Sequence, residues 1–213
     1  MSDNFIQTAS GRYEFMPEEL YYGRKQIDKE NTFQILLDLK EVFDARNIKF
    51  GLIYGTLLGA TREGDFITWD EDADIFMLNE QLTEFCEALW DLRSRGIELV
   101  RKVGDLYSLM RNGDYVDVYF FELSGSKRKC NEDTISARHL NFKNVINFKG
   151  VDFHIPNDHE FLLSTLYGKD WRTPQRNKPA KAFSFTRRAK VFIQDHVPKV
   201  YAVLRRFKKV MRR

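Results

Sequence analysis

The sequence predicts a mixed α/β domain in which one β-sheet packs against helices. Hydrophobic residues make up 43% of the 213 residues, which is enough for a sizeable core. Segments with helical apolar spacing and segments with strand-like apolar spacing follow one another along the chain. Their order is helix, strand, short helix, strand, helix and hairpin, which is typical of a mixed sheet with helices packed on it.

Two longer helices are predicted from apolar stripes. The first spans about 28–47, and the second spans 80–96. The stripe of the first helix consists of Ile35, Leu36, Leu39, Val42 and Phe43. The stripe of the second helix consists of Leu82, Phe85, Cys86, Leu89 and Leu92. Each helix should bury that face against the sheet.

A strand-to-helix turn is predicted between these helices. The segment IKFGLIY at 48–54 reads as a buried strand. Gly55 should break the strand, Thr56 should cap a short helix, and Gly64 should end it.

The next strands include a hairpin. A strand is predicted within WDEDADIFML at 69–78, and two more within IELVRKV and DLYSLMR. Asn112-Gly113 follows, and both residue types tolerate the positive φ of a two-residue hairpin turn. The return strand is predicted at 114–123.

The remaining chain divides into three parts. Residues 1–27 are expected to form a loosely structured arm, and 181–213 a basic amphipathic helix. The catalytic domain would span 28–180, with a loop-rich insertion at 124–150. After this insertion a short strand, VDFHIP, and a helix ending near Gly168 are predicted.

Composition excludes several classes of protein. Cys86 and Cys130 are the two cysteines, and neither has a CxxC or Cys/His arrangement, so a disulfide framework and a zinc site are not expected. An apolar run of about 20 residues, as needed to span a bilayer, is absent from the sequence. The polar N-terminus lacks the layout of a signal peptide, which predicts a cytoplasmic protein.

The net charge of +3 comes from the C-terminal segment. Residues 187–213 contain ten Lys or Arg and one acid, so the rest of the chain is acidic. The last apolar residues recur at helical spacing: Val200, Val203, Leu204, Phe207, Val210 and Met211. A basic amphipathic helix of this kind favours peripheral contact with an anionic membrane surface. Docking of the helix on the body or on a second subunit is the alternative.

The densest chemical signal is the acidic segment WDEDADIF. On a strand Asp72 and Asp74 point the same way, whereas Ala73 and Ile75 point into the core. Adjacent carboxylates repel each other unless a cation lies between them, and hard oxygen ligands suit Mg²⁺ or Mn²⁺. A solvated acidic turn after Trp69 is the alternative interpretation.

A third acid, Asp117, lies on the hairpin's return strand. It shares a face with Tyr115 and Tyr119, and the other face is apolar. A metal shared with Asp72 and Asp74 would explain an acid in such an apolar strand. The alternative is an outward-facing acid on an edge strand.

The turn GTLLGATR precedes these acids and is expected to bind phosphate. Gly55 and Thr56 can present backbone N–H groups and a hydroxyl at a helix N-terminus, and Arg62 can clamp a phosphate oxygen. An ordinary strand-to-helix turn is the alternative. A phosphate cradle followed within about 20 residues by a metal-binding strand indicates phosphoryl transfer.

The stretch YGTLLGATREGDFITWDEDADIFM resembles the signature of the LicD family, which includes fukutin and the fukutin-related protein. Two later segments are also similar to the family, YVDVYFF and LLSTLYGKDWRTP, so the resemblance spans roughly residues 33–175. It implies a nucleotidyltransferase, or polymerase-beta-like, fold. It also implies transfer of a phospho-alcohol from a CDP-activated donor to a sugar hydroxyl of a cell-surface glycan, with release of CMP. Phosphocholine, ribitol phosphate and glycerol phosphate are the expected kinds of cargo.

The resemblance assigns roles to residues of this chain. By motif, Asp70, Asp72, Asp74 and Asp117 are expected to be catalytic. The expected metal ligands are Asp72, Asp74 and Asp117, holding Mg²⁺ or Mn²⁺. The expected substrate-binding residues are Gly55, Thr56, Arg62 and Trp69. Either Asp70 or Asp117 is expected to accept the proton of the attacking hydroxyl.

Two other functions use parts of the same pattern. A nucleotidyltransferase that moves NMP from an NTP to a protein, small molecule or RNA would need the same acids. A nucleic-acid-binding module would need basic and aromatic residues interleaved on one face. Since the positive charge is concentrated in the terminal segment, nucleic acid is not an expected partner.

Overall fold

The computed structural model describes residues 4–21 and 23–175, and it confirms a mixed α+β architecture. The helices are α1 (Lys29–Ala45), α2 (Tyr54–Arg62), α3 (Leu82–Ser94) and α4 (His159–Tyr167). The strands are β1 (Phe5–Thr8), β2 (Gly11–Glu14), β3 (Gly51–Leu52), β4 (Ala73–Leu78), β5 (Glu98–Val103), β6 (Leu106–Arg111), β7 (Asp114–Ser124), β8 (Lys127–Cys130), β9 (Asp133–Ser136), β10 (Asn144–Phe148) and β11 (Val151–Ile155).

The main sheet is mixed and has the order β10-β11-β3-β4-β7-β6-β5. β4 and β7 are parallel neighbours at its centre, and β3 pairs antiparallel with the other side of β4. β8 and β9 extend the end of β7. The paired residues of β4 and β7 lie side by side, although β5 and β6 separate the two strands in sequence.

Helix α1 forms as its sequence predicts. The Asp28 carboxylate accepts hydrogen bonds from the N–H groups of Glu30 and Asn31 at 3.0 and 3.1 Å, which caps the helix N-terminus. The five residues of the predicted stripe are all buried. Helix α3 likewise buries Phe85, Cys86 and Leu89 within its predicted stripe.

The predicted hairpin is also confirmed. Asn112 and Gly113 have φ values of 52° and 81°, and they join β6 to β7. Val116 and Val118 are fully buried on one face of β7. Because β7 lies between β4 and β6, Asp117 is on a central strand, and the edge-strand alternative is wrong.

Helix α2 begins earlier than predicted. Its first residue is Tyr54, so the preceding strand is shortened to two residues and Thr56 lies inside the helix. The expectation that Thr56 caps the helix is therefore wrong. Tyr54 enters the helix with a φ of 48°, an unusual conformation for an aromatic residue that sequence patterns do not reveal. Gly64, with a φ of 66°, follows the helix C-terminus as predicted.

Two regions are more ordered than predicted. Residues 124–150, predicted to be loop-rich, contain β8, β9 and β10, whose polar residues alternate with buried ones such as Cys130 and Ile135. The arm at 1–27, predicted to be loosely structured, contains the β1–β2 hairpin. Its Thr8 hydroxyl accepts a hydrogen bond from the indole of Trp90 in α3 at 3.1 Å. Both predictions failed because short strands become recognisable only through their pairing partners.

The C-terminal part of the predicted domain organisation lies outside the described residues. The proposed catalytic domain ends at residue 180, and the predicted basic helix at 181–213 lies wholly beyond the described residues. Among the described helices, none has the length and apolar character needed to cross a bilayer.

Candidate active site

The three predicted metal ligands converge at the centre of the sheet. Asp74 on β4 lies directly opposite Asp117 on β7, and Asp72 immediately precedes β4. Each offers a carboxylate oxygen, and these atoms all lie within 4.8 Å of one another. Asp74 and Asp117 are buried, whereas Asp72 is partly exposed. The alternative of a solvated acidic turn does not fit carboxylates that are buried together.

Burial and mutual repulsion make these acids unusually basic. Burial, followed by the negative charge of Asp117, raises the pKa of Asp74 from 3.8 to about 8. Burial and the charge of Asp74 raise the pKa of Asp72 well above its usual value. The pKa of Asp117 is raised by burial, although Arg101 opposes this shift. A divalent cation between the carboxylates would offset both effects, and three hard oxygen ligands fit Mg²⁺ or Mn²⁺.

The start of helix α2 fixes Asp74 from two sides. The Gly55 N–H donates to Asp74 Oδ2 at 3.0 Å. The Asp74 N–H in turn donates to Thr56 Oγ1 at 2.8 Å, and Thr56 is fully buried. Thr56 therefore reaches a substrate only through Asp74. A Cβ at residue 55 would lie 3.0 Å from Asp70 Oδ2 and 3.2 Å from Asp74 Oδ2, so any larger residue there would displace these carboxylates.

Asp117 is held by two residues that the sequence analysis missed. Arg101 Nη2 donates to its Oδ1 and Oδ2 at 2.8 and 2.7 Å, and Ser108 Oγ donates to Oδ1 at 2.5 Å. The hairpin register places Ser108 opposite Asp117 and Arg101 opposite Ser108. Counting outward from the Asn112-Gly113 turn gives the Ser108–Asp117 pair, so this signal was present in the sequence.

Two tyrosines of β7 also belong to the site. The hydroxyl of Tyr115 interacts with Asp72 and that of Tyr119 with Asp74, and each interaction lowers the pKa of the acid against the larger effect of burial. Burial and the adjacent carboxylates raise the pKa of both tyrosines above the usual value. Both hydroxyls thus remain protonated donors. They were noted in the sequence only as neighbours of Asp117 on one face.

Asp70 lies at the edge of the acidic cluster. It is half-buried, and burial together with the charge of Asp72 raises its pKa from 3.8 to about 7. Its Oδ2 is buried and accepts no hydrogen bond from the described residues. A carboxylate with this pKa and an available oxygen is suited to accept a proton near neutral pH.

The other predicted binding residues lie around this cluster. The Arg62 guanidinium contacts the Glu63 carboxylate, and its Nη1 donates to the Trp171 carbonyl at 3.4 Å. Its side chain is only 8% exposed. Trp69 is partly buried and packs against the main core. Neither residue's predicted role in substrate binding is decided by these contacts, and both stay predictions.

The fold and the acidic cluster define a protein of the nucleotidyltransferase fold. Asp74 lies on β4, Asp72 immediately precedes that strand, and Asp117 lies on the parallel strand β7. Gly55, at the start of α2, lies next to these acids. The chain belongs to the LicD family, because residues 47–167 match the sequence model described as LicD/FKTN/FKRP, nucleotidyltransferase domain. Membership of this family supports a transferase.

Individual relatives are more distant. An uncharacterized protein, RT0683 of Rickettsia typhi, is 33% identical over 69 residues, which cover 32% of this chain and 22% of that protein. The chain thus spans about a fifth of the length of the curated relative that it matches.

Solved structures also show similarity. The antibiotic-resistance factor ANT(2″)-Ia has 13% sequence identity and a TM-score of 0.50, and the match covers 86% of this chain and 96% of that chain. The lincosamide antibiotic adenylyltransferase LnuA is 14% identical, with a TM-score of 0.46 over 65% of this chain and 86% of that chain. At this level of identity the likeness to ANT(2″)-Ia bears on the fold alone.

Proposed function

We propose that this chain transfers a phosphorylated alcohol from a CDP-activated donor to a sugar hydroxyl of a glycan or lipid-linked glycan, and that CMP is released. The observation that carries the proposal is the convergence of Asp72, Asp74 and Asp117 beside the start of helix α2 in a LicD-family chain. Such an arrangement suits the binding of a diphosphate and a divalent cation.

The residues present fit a divalent metal ion. Asp72, Asp74 and Asp117 would hold Mg²⁺ or Mn²⁺ through hard carboxylate oxygens. When bound, such an ion neutralises the charge of the donor's phosphates and of the departing CMP. The chain itself orients the ligands, because Gly55 and Thr56 fix Asp74 while Arg101 and Ser108 fix Asp117.

Asp70 is the proposed proton acceptor. Both oxygens of Asp117 are already hydrogen-bonded by Arg101, and one also by Ser108, so Asp117 is poorly placed to take a proton. Asp70 retains a free Oδ2 and a pKa near 7. The acceptor oxygen attacks phosphorus and its proton passes to Asp70. The bond between phosphorus and the CMP oxygen breaks.

A ligand screen followed by product analysis tests this function. The full chain with Mg²⁺ would be screened by thermal shift against CDP-choline, CDP-ribitol, CDP-glycerol, CDP-ethanolamine and plain NTPs, since a bound donor stabilises the fold. We expect one CDP-alcohol to raise the melting temperature, and to yield CMP when a glycan acceptor is supplied. Stabilisation by an NTP alone, with release of pyrophosphate, would reject the proposal in favour of nucleotidyl transfer.

A lipid-linked acceptor would require the chain to work at a membrane surface, and we propose that it binds there peripherally. The basic amphipathic segment of the sequence, 181–213, would supply this contact by attraction to anionic lipids. Co-sedimentation with anionic vesicles would compare the full chain with a chain ending at residue 196. Equal pelleting of the two chains would reject the membrane contact.

A further inference from the structure

A half-buried arginine that the family motif does not include lies beside the acidic cluster. Arg101 comes from β5, and its guanidinium reaches Asp117 on β7 by passing Ser108 on β6. The Arg101 side chain is 22% exposed, whereas that of Asp117 is 5% exposed. Arg101 therefore binds a buried carboxylate while part of its own side chain remains accessible to solvent.

The hydrogen bonds of Arg101 leave part of its guanidinium available. A guanidinium carries five N–H donors, one on Nε and two on each Nη. Nε donates to Ser108 Oγ at 2.8 Å, and Nη2 donates to both oxygens of Asp117. Nη1 makes no hydrogen bond to any residue in the described part of the chain. Two N–H donors of a permanent cation thus remain on the group that binds Asp117 and whose charge also acts on Asp72.

The arginine of the family motif is in a different situation. Arg62 uses Nε and Nη2 on Glu63 and Nη1 on the Trp171 carbonyl, so each nitrogen of its guanidinium already has an acceptor. The two remaining N–H donors of Arg62 lie on separate Nη atoms, and its side chain is only 8% exposed, so little of it is open to a phosphate. Arg101 can bind a further acceptor while it keeps every contact that it has.

We propose that Arg101 binds a phosphate oxygen of the donor through Nη1 while Nη2 and Nε hold Asp117 and Ser108. The inference rests on the proposed function in one respect, namely that the substrate carries a phosphate group beside the metal-binding acids. Arg101 then connects the substrate to a metal ligand through one rigid, planar group. Its charge also opposes the repulsion between an anionic substrate and three acids.

This role suits arginine and not lysine. Arg101 contacts two partners through Nε and Nη2 and keeps Nη1 for the substrate, whereas a lysine ammonium has three donors on a single atom. Arg101→Lys would keep a cation beside Asp117 but would not reach Ser108, Asp117 and a phosphate together. Arg101→Lys therefore tests phosphate binding separately from the role of Arg101 in holding the Asp117 carboxylate in place.

The test measures binding, so it does not depend on knowing the substrate. Isothermal titration would measure Mg²⁺ affinity, and then the affinity of the Mg²⁺-saturated full chain for inorganic pyrophosphate. The variants would be Arg101→Met, Arg101→Lys and, as a matched control, Arg46→Lys, since Arg46 pairs with Asp91 on the surface. Arg62→Lys would be measured in parallel.

We expect both Arg101 variants to bind pyrophosphate about 10- to 100-fold more weakly, the range for loss of a hydrogen bond between charged groups. Mg²⁺ affinity should stay within about 3-fold in Arg101→Lys, because lysine keeps a cation beside Asp117. In Arg101→Met it should fall by about 10-fold, because a group that orients a metal ligand is lost. Arg46→Lys should leave both affinities unchanged.

Three results would overturn the proposal. The first is wild-type affinity for pyrophosphate in folded Arg101→Lys. The second is an equal loss of Mg²⁺ and pyrophosphate affinity in Arg101→Lys, which would mean that Arg101 only supports Asp117. The third is a loss of pyrophosphate binding in Arg62→Lys but not in the Arg101 variants. If Arg101→Met fails to fold, Arg101→Lys still decides. Because pyrophosphate contains no cytidine or alcohol, failure of every CDP-alcohol in the ligand screen would reject the proposed function without rejecting this role.

Discussion

Asp74 and Asp117 lie opposite each other on adjacent parallel strands, with their carboxylates buried together at the centre of the sheet. Each is fixed by hydrogen bonds from a different element, since Asp74 is bound by Gly55 of α2 and Asp117 by Arg101 of β5. The fold therefore holds like charges together against their repulsion. A site of this kind should gain stability and order when a divalent cation binds.

Replacing one metal ligand should separate stability from activity. We expect Asp72→Asn to lower the rate of transfer at least about 100-fold, because even loss of a residue that only orients a metal ligand typically costs 10- to 100-fold. The melting temperature without divalent cations should be equal or higher, since one of three adjacent acids is removed. Added Mg²⁺ should stabilise the variant much less than the wild type. Thermal unfolding with EDTA and with Mg²⁺ would measure both effects.

A matched control for this variant is Asp152→Asn. Asp152 is an exposed acid of β11 that hydrogen-bonds Asn147, so the substitution changes charge without touching the cluster. It should retain wild-type activity and the full response to Mg²⁺. Full activity in Asp72→Asn would contradict the assignment of the acidic cluster as the active site.

The stability of the metal-free protein should depend on pH in an unusual direction. The pKa of Asp74 rises from 3.8 to about 8 on folding, and that of Asp70 rises to about 7. Between about pH 4 and about pH 8, the native protein therefore binds more protons than the unfolded chain. Its free energy of unfolding consequently falls as the pH rises from about 4 to about 8. The stabilisation that comes from proton binding to the native acids is complete below the ordinary pKa of 3.8 and is lost above the raised pKa of about 8.

Urea unfolding in EDTA at several pH values across that window would measure this slope. Mg²⁺ should reduce it, because the cation takes the place of the bound protons. Asp74→Asn should also reduce it, since one of the shifted groups is removed. A free energy of unfolding that increases with pH in EDTA would contradict the geometry of a buried acidic cluster.

Much of the site could be predicted because its information is local. The spacing of Asp72 and Asp74 fixes their common face, and the alternation in β7 fixes that of Asp117. The Asn112-Gly113 turn determines the register of the hairpin. The family resemblance implied in addition that the segment with Asp72 and Asp74 lies next to the segment with Asp117. Local sequence patterns cannot establish such a contact.

The parts that could not be predicted depend on distant contacts. Residues 124–150 carry short strands whose identity comes from pairing with β7 and with each other. Arg101 is one of two cations in β5, and only the strand register shows that it lies next to Asp117. The early start of α2 at Tyr54 depends on a backbone conformation that the surrounding packing imposes.

The absence of a side chain at residue 55 should matter for metal binding more than for folding. In Gly55→Ala the new Cβ would meet Asp70 Oδ2 at 3.0 Å and Asp74 Oδ2 at 3.2 Å, so both carboxylates must shift by a few tenths of an ångström. We expect Mg²⁺ affinity to fall about 10-fold, comparable to loss of a residue that orients a ligand. The melting temperature should change little, because alanine favours the helix. Titration calorimetry with Mg²⁺ would measure the first effect.

Gly59 provides the contrasting substitution within the same helix. A Cβ at Gly59 would lie 2.5 Å from the Asp65 carbonyl oxygen and 3.0 Å from the Ile67 N–H nitrogen, which are backbone atoms that cannot easily move. Gly59→Ala should therefore destabilise the fold by about 1–3 kcal/mol. If Gly55→Ala instead destabilised the fold and left Mg²⁺ affinity unchanged, the close approach of Gly55 to the acids would have no functional meaning.

The conformation of Tyr54 should couple the β8–β9 hairpin to the active site. Its φ of 48° costs about 1–3 kcal/mol for a residue with a bulky side chain. The Tyr54 hydroxyl donates to Asp133 Oδ2 at 2.8 Å, and its ring meets Tyr119 edge to face at 4.9 Å between centroids. The next residue, Gly55, donates its N–H to Asp74. These contacts hold the start of α2 in the position that fixes a metal ligand.

We therefore expect Tyr54→Phe to lower the free energy of unfolding by about 1.5–3 kcal/mol, the range for a hydrogen bond to a charged group. It should also weaken Mg²⁺ binding, because the strained residue before Gly55 loses one of its restraints. A double-mutant cycle with Asp133→Ala would measure the coupling by urea unfolding, with an expected interaction of about 1 kcal/mol or more. Tyr21→Phe, at a tyrosine that is 59% exposed, is the control and should change neither quantity. Additive effects of Tyr54→Phe and Asp133→Ala, with normal Mg²⁺ affinity, would show that the hairpin supports the fold without influencing the acids.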